Sequence, residues 1–187
     1  MKKVFIIHGF GGEPNGGWRA WLMWQLAKMK IWAFGPLMPT PNTPTRERWV
    51  AEISRVVNSP DQDTFLVGHS LGVPAVLRYI EALPDNSVIG GALLVSGFTR
   101  ELHTDKRYEA LNNFVNTSFD FKKIRKVCRN FTIIHGSNDE SVPLVYAEEL
   151  QVNLDCELIV IPNGGHLNSS GGRYELPEAL EALKKMF

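Results

Sequence analysis

Six short apolar runs, at residues 4–8, 31–37, 64–69, 88–96, 131–135 and 157–161, set the strongest limit on how this chain can fold. They are mostly continuous and not alternating, the pattern of strands covered on both faces. The second, interrupted by Gly35 and Pro36, is the weakest of the six. Stretches with apolar residues at helical spacing separate them: 18–30 (Trp18, Trp21, Leu22, Leu26, Met29), 45–57, 71–83, 145–154 and 176–187. Thr45 followed by Glu47 and Arg48 reads as a helix start, and Pro177 suits a first helical turn. Strands alternating with helices give βαβ units. The expected architecture is therefore α/β, a three-layer αβα sandwich around a mostly parallel sheet of about six strands.

The chain has 187 residues, a length expected to form one domain over 1–187. Its 44% hydrophobic and 21% charged residues are ordinary globular values. The 20 Lys+Arg balance 20 Asp+Glu, which argues against nucleic acid or an anionic membrane as the main partner. The apolar start Val4–Ile7 stops at His8, too soon for a signal peptide, and no run approaches the ~20 residues of a membrane span. Cys128 and Cys156 lack metal-ligand spacing and read as small buried hydrophobes. The expectation is a soluble cytoplasmic protein that needs neither metal nor cofactor. Four prolines within 36–44 mark a stiff loop. Residues 97–130 exceed a simple crossover, and 99–130 is long enough for a small helical cap.

Gly68-His69-Ser70-Leu71-Gly72 matches G-x-S-x-G between the third run and the helical stretch that follows. In that strand–turn–helix context the turn holds its serine in a strained backbone conformation at a helix N-terminus. The glycines let strand and helix pass closely. The blander reading is an N-capping serine in a Gly-rich turn.

A serine nucleophile needs a base. Of His8, His69, His103, His135 and His166, only His166 follows the last strand and leaves room for an acid on an earlier one, in the order Ser, acid, His. Asp139, in the loop after the fifth run, is the expected acid, which would fix the imidazole's tautomer and stabilise its charged form. Glu140 and Asp105 are rivals, and a helix-capping Asp is the ordinary alternative. His8 and His135 read as loop-holding residues, His69 as turned away from the serine, and His103 as solvent-facing. An oxyanion hole needs two converging N–H groups, expected from Leu71 and from Phe10 in His8-Gly9-Phe10-Gly11-Gly12. That loop fits neither phosphate-binding signature. Tyr108, Phe98, Phe114 and Phe119 could line an acyl pocket or simply pack a core, and the five Trp residues read first as packing.

Together, His8-Gly9-Phe10, Gly68–Gly72, Gly136-Ser137-Asn138-Asp139 with Val142-Pro143, Gly165-His166 and the Trp18/Trp21/Trp24 helix resemble the small serine hydrolases of the retinoblastoma-binding protein 9/YdeN type. This is a compact branch of the α/β-hydrolase superfamily, and the likeness runs essentially along the whole chain. The resemblance implies a triad of Ser70, His166 and Asp139 acting on small esters, with thioesters or amides within the same chemistry. A catalytically idle interaction module of the same fold is the alternative. The L-x-C-x-E motif is broken here: Leu158 occupies the acidic place after Leu154 and Cys156. A retinoblastoma-type partner is therefore not expected.

Overall fold

The computed structural model describes residues 1–103 and 106–187. Six strands, β1 (Lys3–Ile7), β2 (Trp32–Phe34), β3 (Thr64–His69), β4 (Gly91–Val95), β5 (Phe131–Gly136) and β6 (Glu157–Ile161), form one sheet in the order β2-β1-β3-β4-β5-β6. Every neighbouring pair is parallel. The helices are α1 (Trp18–Lys28), α2 (Arg46–Val57), α3 (Gly72–Ala82), α4 (Phe121–Val127), α5 (Val145–Leu154) and α6 (Pro177–Met186).

Successive strand residues point to opposite faces, and two cores follow. Val4 and Ile6 of β1, with Phe65, Val67, Leu93, Val95 and Ile134, pack against α1 and α6. The intervening Phe5, Ile7, Leu66, Ala92, Leu94 and Ile133 pack against the opposite layer, which includes α2 to α5. The expected six-stranded α/β architecture is thus the observed one.

Several boundaries differ from those read in the sequence, each for a local reason. The first helix stops at Lys28 because Lys30 turns left-handed (φ 59°). The Lys30 and Ile31 N–H groups then donate back to Ala27 O and Leu26 O at 2.9 and 3.0 Å, closing the helix with a lysine where glycine is usual. The second run supplies only a three-residue edge strand, ended by Gly35 and Pro36. The fourth strand begins at Gly91, not Val88, with Ile89 making an isolated bridge to Cys128. It ends before Ser96, whose φ of 48° bends the chain out of the sheet. The segment after β4 contains a 3-10 stretch, Lys106–Phe114, and α4, whose N-terminus is capped by Asp120 accepting from Lys123 N–H at 2.9 Å.

The chain runs from β1 to the edge at β2, then returns to the other side of β1 as β3. The carboxyl ends of β1 and β3 therefore flank a topological switch point, where open parallel sheets form their crevices.

Candidate active site

Ser70 sits in that crevice, at the turn from β3 into α3. Its φ is 54°, the left-handed conformation that costs a side-chain-bearing residue about 1–3 kcal/mol. Its N–H is tied to Val95 O at 2.9 Å. The turn is tight enough that a Cβ on Gly68 would lie 2.7 Å from Gly72 O, and one on Gly72 would lie 2.3 Å from Ile7 O. Glycine at both positions is what lets α3 leave the sheet there.

Ser70 Oγ lies 3.0 Å from His166 Nε2, and His166 Nδ1 lies 2.8 Å from Asp139 Oδ2. With Nδ1–H donating to the carboxylate, Nε2 is left to accept the Ser70 proton. Asp139 is buried. Its Oδ1 accepts from the N–H groups of Ser141 and Val142 at 3.0 and 2.9 Å, leaving Oδ2 toward the imidazole. Asp139 thus caps its loop through one oxygen and faces His166 with the other. Glu140 is exposed, and Asp105 lies outside the described residues.

The Phe10 and Leu71 N–H groups, on either side of the crevice, donate to nothing among the described residues. Leu71 has helical angles (φ −56°, ψ −26°) at the start of α3, so its free N–H belongs to the positive end of the helix. Gly9 brings the first loop against the serine: a Cβ there would lie 2.9 Å from Ser70 Cβ.

Three of the remaining histidines, His8, His69 and His135, have structural partners. His8 donates from Nδ1 to Gly9 O (2.8 Å) and accepts at Nε2 from Met38 N–H (3.0 Å). His135 donates from Nε2 to Val142 O at 2.7 Å, with Asp139 Oδ2 at 3.4 Å. His103 is exposed. Burial lowers the pKa of His8 and His135, and lowers that of His69 well below the usual imidazole range.

His69 does more than turn away. It donates from Nε2 to the backbone oxygen of His166 at 3.1 Å and packs edge-on against Trp18. Trp18 donates from Nε1 to Leu167 O at 2.7 Å. Two further bonds come from the β5 loop, Gly165 N–H to Asn138 Oδ1 (2.9 Å) and Asn163 N–H to Ser137 Oγ (3.0 Å). The His166 loop needs this support, because Asn163, Gly165 and Leu167 all have positive φ. Sequence reasoning read Trp18 and His69 without these positioning roles; both act across long chain separations that no local pattern encodes.

Two cavities meet at Ser70 and His166. One, of about 250 Å³, is walled by Leu102, Tyr108, Leu111 and Val142. The other, of about 170 Å³, reaches Gly12, Arg19 and His69. Of the aromatics considered for an acyl pocket, only Tyr108 is among these walls. Phe98, Phe114 and Phe119 are core residues instead; Phe114 packs edge-on to Trp49 and Phe119 lies under the Arg78 guanidinium.

Residues 4–185 match the model of the family described as Serine hydrolase. The chain belongs to the serine hydrolase family. Among relatives of this serine hydrolase, YdeN of Bacillus subtilis (strain 168) is 33% identical over 186 residues, covering 100% of this chain and 96% of that protein. The serine hydrolase RBBP9 of Rattus norvegicus is 24% identical over 187 residues, covering 98% and 95%. The crystal structure of the B. subtilis ydeN gene product superposes with a TM-score of 0.95, covering 100% of this chain and 99% of that one. The meta-cleavage product hydrolase CumD of Pseudomonas fluorescens IP01, 16% identical, shares the α/β-hydrolase fold, with a TM-score of 0.71 and coverage of 100% and 92%. No helix among the described residues is long and apolar enough to cross a membrane.

Proposed function

We propose that this serine hydrolase cleaves small carboxylic esters through an acyl-enzyme on Ser70. The observation that carries the reading is the relay from Ser70 Oγ to His166 Nε2 (3.0 Å) and from His166 Nδ1 to Asp139 Oδ2 (2.8 Å). His166 takes the Ser70 proton as Oγ attacks the carbonyl carbon, and Asp139 stabilises the imidazolium. The free N–H groups of Phe10 and Leu71 receive the developing oxyanion. The C–O bond then breaks, His166 protonates the leaving alcohol, and a water activated by His166 releases the acid and restores Ser70. Thioesters and amides would pass through the same intermediate. Cavities of about 170 and 250 Å³ favour short groups on either side of the carbonyl, being smaller than the ~300–1,000 Å³ typical of drug-sized ligands. Leu102, Tyr108 and Leu111, from the segment after β4, wall the larger cavity.

Wild type should be labelled by a fluorophosphonate probe and should turn over 4-nitrophenyl acetate and butyrate. Ser70→Ala should lose the label and at least about 10³-fold in kcat. Equal labelling of the two proteins would overturn the reading.

A further inference from the structure

Arg19 is an anomaly in the smaller cavity. It is 6% exposed, and an arginine so buried normally has its charge and its donors matched. Arg78, equally buried, shows what matching looks like: it pairs with Glu81 at 2.7 Å and donates to the carbonyls of Phe114, Thr117 and Ser118. Among the described residues Arg19 makes one hydrogen bond, from Nη2 to Glu13 O at 2.9 Å, and its Nε is buried without a partner. It has no ion pair among the described residues; the Glu13 side chain exerts a Coulombic pull, but Glu13 is exposed. The chain makes room for this guanidinium, since a Cβ on Gly16 would lie 2.6 Å from Nη2. Burial lowers its pKa to about 10, which leaves it charged at neutral pH. The same cavity is lined by Ser70 and His166, and the Arg19 charge is felt at both His8 and His69.

We propose that Arg19 is a specificity residue that binds a carboxylate on the substrate, so that the preferred ester carries an anionic group on one side of the scissile carbonyl and a short apolar group on the other. A carboxylate in the Arg19 cavity would supply the missing counter-charge at the edge of the guanidinium that lines it. The apolar group would occupy the cavity walled by Leu102, Leu111 and Val142. This assignment rests on the serine-esterase reading of Ser70.

The test compares esters that differ only in that charge. Mono-4-nitrophenyl glutarate is set against 4-nitrophenyl valerate, placing the carboxylate on the acyl side. 3-Acetoxybenzoate is set against phenyl acetate, placing it on the alcohol side. At fixed ionic strength, wild type should favour one anionic ester over its neutral partner by about tenfold or more in kcat/KM. R19Q should collapse that ratio by about the same factor, and R19K should retain part of it. Each ratio is measured on one protein sample, so loss of folded protein cancels. A ratio that is near one in wild type, or unchanged in R19Q, overturns the proposal. Glutarate binding to Ser70→Ala by calorimetry gives a readout without turnover. Binding that vanishes in the Ser70→Ala/R19Q double variant supports the anion site even if no ester is hydrolysed, an outcome that would instead sink the esterase reading. Equal binding to both overturns the anion site.

Discussion

At the scale of single residues, Asp139 shows how one side chain serves structure and proposed chemistry together. Its Oδ1 holds the Ser141 and Val142 N–H groups while its Oδ2 faces His166. Asp139→Asn can keep the first set of bonds but presents an amide to Nδ1, favouring the wrong imidazole tautomer. We expect kcat to fall by about 10³–10⁴-fold with little change in thermal midpoint, while Glu140→Gln, at an exposed neighbour, stays within about threefold; kinetics and melts on both variants check this. Ser70, Asp139 and His166 were legible in the sequence because each follows a recognisable strand and their chain order is restrictive. Arg19 was not. Its significance comes from burial without a counter-charge, a property that emerges only when α1 is laid against the loops after β1 and β6.

At the scale of elements, the site depends on how loops are braced. Trp18 of α1 reaches 149 residues along the chain to hold Leu167 O. Trp18→Phe keeps the ring and removes the donor, leaving a carbonyl short of a partner at a cost of about 1–3 kcal/mol. Displacement of His166 should lower kcat by about tenfold; unchanged kcat would show that the other bonds suffice. Gly72→Ala should also lower stability, since its Cβ would meet backbone at 2.3 Å. A drop of about 1–3 kcal/mol in urea unfolding is expected. Most strands and helices were readable from apolar periodicity. A small helical cap is expected over 99–130, but the bounds of α4 are not readable, because its seven residues, FKKIRKV, bury only Ile124 and Val127, too few to establish a helical period. The end of α1 at Lys28 has no sequence signal, because a left-handed lysine carries no composition cue.

At the scale of the whole molecule, three imidazoles buried in their neutral form tie stability to pH. The pKa values of His8, His69 and His135 are all lowered by burial. The unfolded chain therefore binds more protons than the folded one once pH drops toward about 6.5. Stability is full above that value and falls as pH falls, with each histidine contributing up to about 1.4 kcal/mol per pH unit. Urea midpoints between pH 7.5 and 5.5 should decline, and His135→Gln should flatten the slope; an equally steep decline would remove His135 from the account. The balanced charge read from composition is silent on this, because it counts histidines without their surroundings.

The hydrogen bond between Ser70 and His166 spans 96 residues and joins the loops after β3 and β6, with β4 and β5 between those strands. Such a site closes late in the life of a folding chain, after non-local strand pairing has paid its loop-closure entropy. During refolding from urea, far-UV circular dichroism should therefore recover ahead of fluorophosphonate reactivity. The serine then doubles as a clock, reporting the moment at which the last strand has taken its place.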